Sequence, residues 1–223
     1  MSGAPPGPSL RARFERLWRR LGAAGDGAAE FAALDAAYRE PGRVYHTTEH
    51  LADCLARLDE FREPEAEHDM RDLVEAAIWF HDSVYDPRRS DNESRSAEWA
   101  ARAFVEAGVA GNLVERIRLL VLFTRHLGPA PDPAGRLVCD IDLSILGREP
   151  AEFERFEQAI RAEYAWVPDP EYRTGRARVL RGFQERKPLY QTAPFRLRYE
   201  DAAHRNLAAA LARLAEPPQT PVG

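Results

Sequence analysis

The sequence predicts an all-α protein folded as a single-domain helical bundle. Three observations carry this. Apolar residues recur at spacings of three and four in nearly every segment, which is the pattern of one helix face. No run alternates apolar and polar residues as a half-buried strand would. The breaks fall on Pro and Gly, the residues that end helices.

Each element follows from its residues. Phe14, Leu17, Trp18 and Leu21 share one face of a helix running from Leu10 to about Ala24. Phe31, Leu34 and Tyr38 give a second, over Glu30–Tyr38, and Pro41-Gly42 breaks it. A third begins near His46, with Thr47 or Thr48 as its cap, and carries Leu51, Leu55, Leu58 and Phe61. A fourth, from about Glu67, ends at Phe80. A polar loop over 83–91 leads to a fifth helix, opened by Asn92-Glu93-Ser94-Arg95-Ser96 and stopped at Gly108. Leu113–His126 is the most apolar, with Ile117, Leu120, Val121 and Phe123. Pro129, Pro131 and Pro133 predict a loop, and 137–147 is a second apolar stretch with carboxylates inside it. Three further helices are expected over Phe153–Tyr164, Glu171–Phe183 and Tyr199–Leu214. The domain is expected to span 10–215, with a disordered lead over 1–9 and a disordered tail over 216–223.

Composition narrows the function classes. A net charge of −5 argues against a nucleic-acid polymer or an anionic membrane as partner. No apolar run has the length of a membrane span, and the N-terminus lacks the basic start and apolar stretch of a signal peptide. The 2 cysteines, Cys54 and Cys139, stand far apart without metal-type spacing and read as buried thiols in a reducing compartment. The expected location is the cytoplasm.

Three stretches carry chemistry. The run Ala76-Ala77-Ile78-Trp79-Phe80 delivers His81 and Asp82 straight out of what should be core. A buried imidazole beside a buried carboxylate is costly unless each has a partner. One divalent metal would satisfy both; a helix end surfacing at Asp82 is the plainer alternative. His46 and His50 stand at i and i+4, one face of a helix, and with Glu49 they also fit the inverted zincin pattern H-x-x-E-H. Asp140 and Asp142 lie among Leu137, Val138, Ile141, Leu143 and Ile145, where a metal or an N-cap would account for them.

In chain order these residues resemble the H…HD…D motif of the HD superfamily of metal-dependent phosphohydrolases. The local wording is similar to a bacterial group of predicted members: Tyr45-His46-x-x-x-His50, Phe80-His81-Asp82-x-x-Tyr85-Asp86, Asp91-Asn92-Glu93-x-x-Ser96-Ala97 and Asp140-x-Asp142-Leu143-x-Ile145-Leu146-Gly147. The resemblance runs from about residue 10 to 212 and implies an HD-type helical bundle. It implies His50, His81, Asp82 and Asp142 as ligands of a divalent metal (Mn, Fe, Co, Ni, Zn or Mg), with Asp140 as an outer partner. The opening Tyr45-His46-x-x-x-His50 is similar to that of cyclic-nucleotide phosphodiesterases. That similarity gives His46 the role of acid toward the leaving oxygen.

The implied reaction is hydrolysis of a small phosphate ester such as a nucleotide by metal-activated water, with Asp82 close to the reacting centre. His126 and Arg125, and Asn92 and Glu93, are candidates to meet the substrate; each also has a plainer role as helix end or cap. Most of Arg173, Arg176, Arg178 and Arg181 reads as helix surface, and His68 and His204 as surface or packing residues. The partner is then a small phosphorylated substrate, and the chain a monomer or homodimer. Two readings compete: an inverted-zincin peptidase using His46, Glu49 and His50, and a non-catalytic metal- or nucleotide-binding module.

Overall fold

A computed structural model describes residues 9–60 and 68–216. Their elements are all helical: α1 Leu10–Arg20, α2 Ala28–Ala37, α3 Thr48–Glu60, α4 His68–Phe80, α5 Asn92–Glu106, α6 Gly111–Phe123, α7 Pro133–Asp142, a 3₁₀ segment Leu143–Gly147, α8 Pro150–Glu163, α9 Asp169–Gln184 and α10 Ala193–Ala215. No strand occurs among the described residues. The expected lead before Ser9, the tail after Glu216, and the side chain of His68 lie outside them. Among the described residues no helix is long and apolar enough to cross a membrane.

The chain divides into two compact units, one reaching to Val138 and the other beginning at Cys139. The first is built around α4, whose residues from Val74 to Phe80 are buried apart from solvent on nearly every face. A helix apolar all round belongs in the middle of a core. Phe14 of α1 meets Trp79 edge-on at 5.1 Å between ring centres, and Phe80 meets Phe104 of α5 at 5.5 Å. Such ring pairs add to the burial of large apolar area. The polar edge of α4 is tied to α1 by ion pairs: Glu75 accepts from Arg13 at 2.8 Å and from Arg20 at 3.2 Å. Tyr38, fully buried just past α2, donates to the carbonyl of Trp79 at 3.2 Å. The end of α4, where the His-Asp pair stands, is therefore held on several sides.

One boundary differs from expectation in an instructive way. The proline-rich loop stops one residue early, because Asp132-Pro133 starts a helix. Asp132 Oδ1 accepts from the Gly135 amide at 3.1 Å, and Pro133 takes the first helical position, where a missing N–H costs nothing. The apolar stretch 137–147 is thus the body of α7 followed by the 3₁₀ turn.

The second unit is organised by α10. Gly147 lies against it so closely that a Cβ would come within 2.6 Å of the Tyr199 carbonyl oxygen. Asn206 donates to the carbonyls of Leu146 and Arg148 at 2.9 and 2.8 Å, and the Tyr190 hydroxyl to that of Leu143 at 3.0 Å. These bonds satisfy carbonyls at the start of the 3₁₀ segment, near its end and just past it, which cannot be left buried and unpaired.

Candidate metal centre

The site grows from the ends of α3 and α4. Thr47 caps α3: its hydroxyl accepts from the Glu49 amide at 3.2 Å. The cap fixes the first turn, and His50 emerges from it into the core, 6% exposed. Because α3 begins at Thr48, His46 stands in the turn before the helix. The expectation that His46 and His50 share a helix face is corrected accordingly. The ring of His46 stacks on Tyr85, with centres 4.0 Å apart and planes at 25°. It lies 6.0 Å from the ring of His50. Glu49 is exposed.

At the end of α4 the chain turns, and His81 is buried. Its Nδ1 sits 2.8 Å from the carbonyl oxygen of Ile78. A carbonyl only accepts, so Nδ1 carries a proton and Nε2 is left to face the neighbouring groups. That Nε2 faces Nε2 of His50 at 3.2 Å and Oδ2 of Asp82 at 3.0 Å. Asp82 Oδ2 is also 3.6 Å from His50 Nε2. Three electron-rich atoms converge in a largely buried place, and only a proton or a cation between them makes the arrangement favourable.

The spacing suits a metal. Ligand atoms held at about 2.1 Å from a tetrahedral ion stand about 3.4 Å from one another. The fixing of His81 by a backbone carbonyl is the outer contact that orients metal-binding imidazoles. Cys54 joins the group from one turn along α3. Its Sγ is 3.7 Å from Nε2 and 3.8 Å from Nδ1 of His50, and His50, Cys54 and His81 form a buried group that could hold a metal ion.

The supports are as specific as the ligands. The guanidinium of Arg43, whose side chain is 2% exposed, donates to the carbonyls of Asp82 at 2.6 Å, Ser83 at 3.1 Å and His46 at 3.2 Å. It lies over the rings of Tyr38 and Tyr85. One buried cation thus fixes both chain turns that bear the histidines. The loop after Asp82 is stapled from α5. Ser96 accepts from the Val84 amide at 3.0 Å. Asn92 accepts from the Asp86 amide at 3.2 Å and donates to the Asp86 carbonyl at 2.9 Å.

The other expected residues fall as follows. Asn92 has both ends of its amide committed to the loop. Glu93 is half-buried in the first turn of α5. Arg125 is exposed, and His126 lies past the end of α6 with a φ of +52°, uncommon for a residue with a Cβ. Asp142 ends α7, in the second unit. Asp140 is fully buried and belongs to a different task. Its carboxylate accepts from the amides of Gln191 at 2.8 Å and Thr192 at 2.7 Å, and from the Thr192 hydroxyl at 2.7 Å. It therefore caps the start of α10 rather than a neighbouring helix. Burial pushes its pKa up to about 6 even against those donors. Of the arginine group, Arg173 binds the carbonyls of Arg213 and Leu214, Arg176 pairs with Glu157, and Arg178 and Arg181 are exposed. His204 meets Glu200 at 3.2 Å.

Two residues escaped the sequence reading. Cys54 had a signal, its place four residues after His50. Arg43 had none, since a lone arginine after Pro41-Gly42 looks like any loop cation. No family model, no curated protein and no solved structure matches the chain.

Proposed function

We propose that this protein is a metal-dependent phosphohydrolase of the HD type, acting on a small phosphate ester such as a nucleotide. The observation that carries the reading is the convergence of His50 Nε2, His81 Nε2 and Asp82 Oδ2 within 3.0–3.6 Å. A divalent metal supplies water activated for attack at neutral pH. On this reading His50, His81 and Asp82 are ligands. His46 is the proton donor to the leaving oxygen, its ring held flat against Tyr85. Arg43 keeps both turns in register and touches no substrate.

The geometry gives less support to a peptidase of the inverted zincin kind. That reading needs both histidines on one helix and the glutamate turned inward, whereas His46 precedes α3 and Glu49 is exposed.

The test is purified protein supplied in turn with Mn, Co, Ni, Zn and Mg and assayed on an aryl phosphate and on nucleotides. Turnover that requires metal and disappears in His81→Ala is the expected result. No turnover with any metal, together with unchanged metal content in His81→Ala, overturns the proposal. Bound metal and nucleotide without product would instead identify a binding module.

A further inference from the structure

We propose that Cys54 is a thiolate ligand of this centre, and that its sulfur biases the site toward zinc, cobalt or iron(II) and against magnesium. The inference rests on the reading that His50 and His81 bind a metal. It adds a ligand that the H…HD…D motif does not contain.

Position comes first. Cys54 follows His50 by one helical turn on α3, so both side chains leave the same face. Its sulfur is buried, 3.7 Å from His50 Nε2. One ligand atom from each of His50, Cys54 and His81 lies within 4.8 Å of the others. For a tetrahedral ion with a metal–sulfur bond of about 2.3 Å and a metal–nitrogen bond of about 2.1 Å, the sulfur–nitrogen separation is about 3.6 Å. The 3.7 Å from Sγ to Nε2 is close to that edge, while Sγ also stands 3.8 Å from Nδ1, beside the ring. Cys139 offers a contrast within the same chain: it too is a buried thiol, and burial pushes its pKa up to about 12. Cys139 belongs to no such group among the described residues.

Chemistry follows from the donor set. Imidazole and carboxylate alone accept most divalent cations. A thiolate is a soft donor that binds zinc, cobalt and iron(II) well and magnesium poorly. The thiol gives up its proton to solvent as the metal–sulfur bond forms, so no oxidant or further reactant is needed.

The experiment is a cobalt titration of the whole protein, read by absorption. Bound cobalt in a site of low coordination number gives visible d–d bands. A thiolate ligand adds a charge-transfer band in the near ultraviolet. The wild-type protein is expected to show both, Cys139→Ser to keep both, and Cys54→Ser to keep the d–d bands while losing the charge-transfer band. Competition should show the preference for zinc over manganese falling at least about 10-fold in Cys54→Ser. Visible bands without charge transfer in the wild-type protein overturn the role of Cys54 and leave the metal centre standing. Absence of both bands, with no cobalt retained, overturns the metal centre itself. The wild-type spectrum decides between these even if Cys54→Ser folds poorly.

Discussion

Asp82 closes one apolar stretch and Asp140 lies inside another, and the surroundings of the two carboxylates differ in kind. Asp140 looks into three donors, two amides and a hydroxyl. Its charge is answered from within the protein, and the answer fastens the start of α10. Asp82 Oδ2 looks at two imidazole nitrogens, His81 Nε2 at 3.0 Å and His50 Nε2 at 3.6 Å. A carboxylate facing donors is part of the architecture. A carboxylate beside two imidazole nitrogens is a place a cation could occupy. The comparison can be broken or sharpened by asking what each region loses when one partner is removed, and whether metal matters to it.

The largest effect is expected in the first region. His81→Ala should weaken metal binding by about 1,000-fold, worth roughly 4 kcal/mol. Melting curves read this without any substrate. Metal at about 100 times its Kd should stabilise the wild-type protein by about 2.7 kcal/mol and leave His81→Ala unmoved. Equal stabilisation of both proteins would show that Asp82 and His50 do not depend on His81 to bind the ion.

The mirror experiment is Asp140→Ala. It removes the acceptor of the half-buried amides of Gln191 and Thr192 and should cost about 3 kcal/mol in chemical denaturation. The increment gained from added metal should stay at its wild-type size. If that increment vanished as well, Asp140 would belong with Asp82, and the distinction between the two carboxylates would fail.

This contrast also explains what could be read from the chain. The helices were legible because their apolar spacing is local, and the helix ends were legible wherever Gly or a cap residue stood at the break. Pro133 misled because a proline both breaks a helix and begins one, and only the capping by Asp132 tells which. His50, His81 and Asp82 were legible as polar residues in apolar company. Asp140 carries the same signature, and nothing in the sequence tells it apart, because its donors arrive from Gln191 and Thr192, far along the chain. Arg43 was invisible for a related reason: besides a local pair with Glu40, it holds the backbone carbonyls of His46, Asp82 and Ser83, which have no sequence pattern. Cys54 was legible in principle, since the spacing to His50 is local, but a buried cysteine reads first as packing.

Gly147 tests the architectural side again, at smaller cost. Its neighbour is the backbone of α10, which has little room to retreat, so Gly147→Ala should cost about 2 kcal/mol. The loss should appear in thermal melting with metal affinity unchanged. A change confined to metal affinity would move this motif glycine from the architecture to the site.

The smallest effect belongs to the loop after Asp82. Asn92 holds the backbone of Asp86 and Ser96 that of Val84, so α5 grips the loop at two points. Either Asn92→Ala or Ser96→Ala should cost about 1 kcal/mol of stability, the worth of an ordinary hydrogen bond. The two staples lie on one short segment, and the double variant should exceed the sum of the single ones, as coupled sites do. Hydrogen exchange of the Val84 and Asp86 amides gives the local reading: both should exchange faster in either variant, while the amides of α4 keep their rates. If Asn92→Ala left the Asp86 amide as protected as before, but raised KM for a phosphate ester, Asn92 would be a substrate contact, the role its place in the motif allows, and the loop would be held by Ser96 alone.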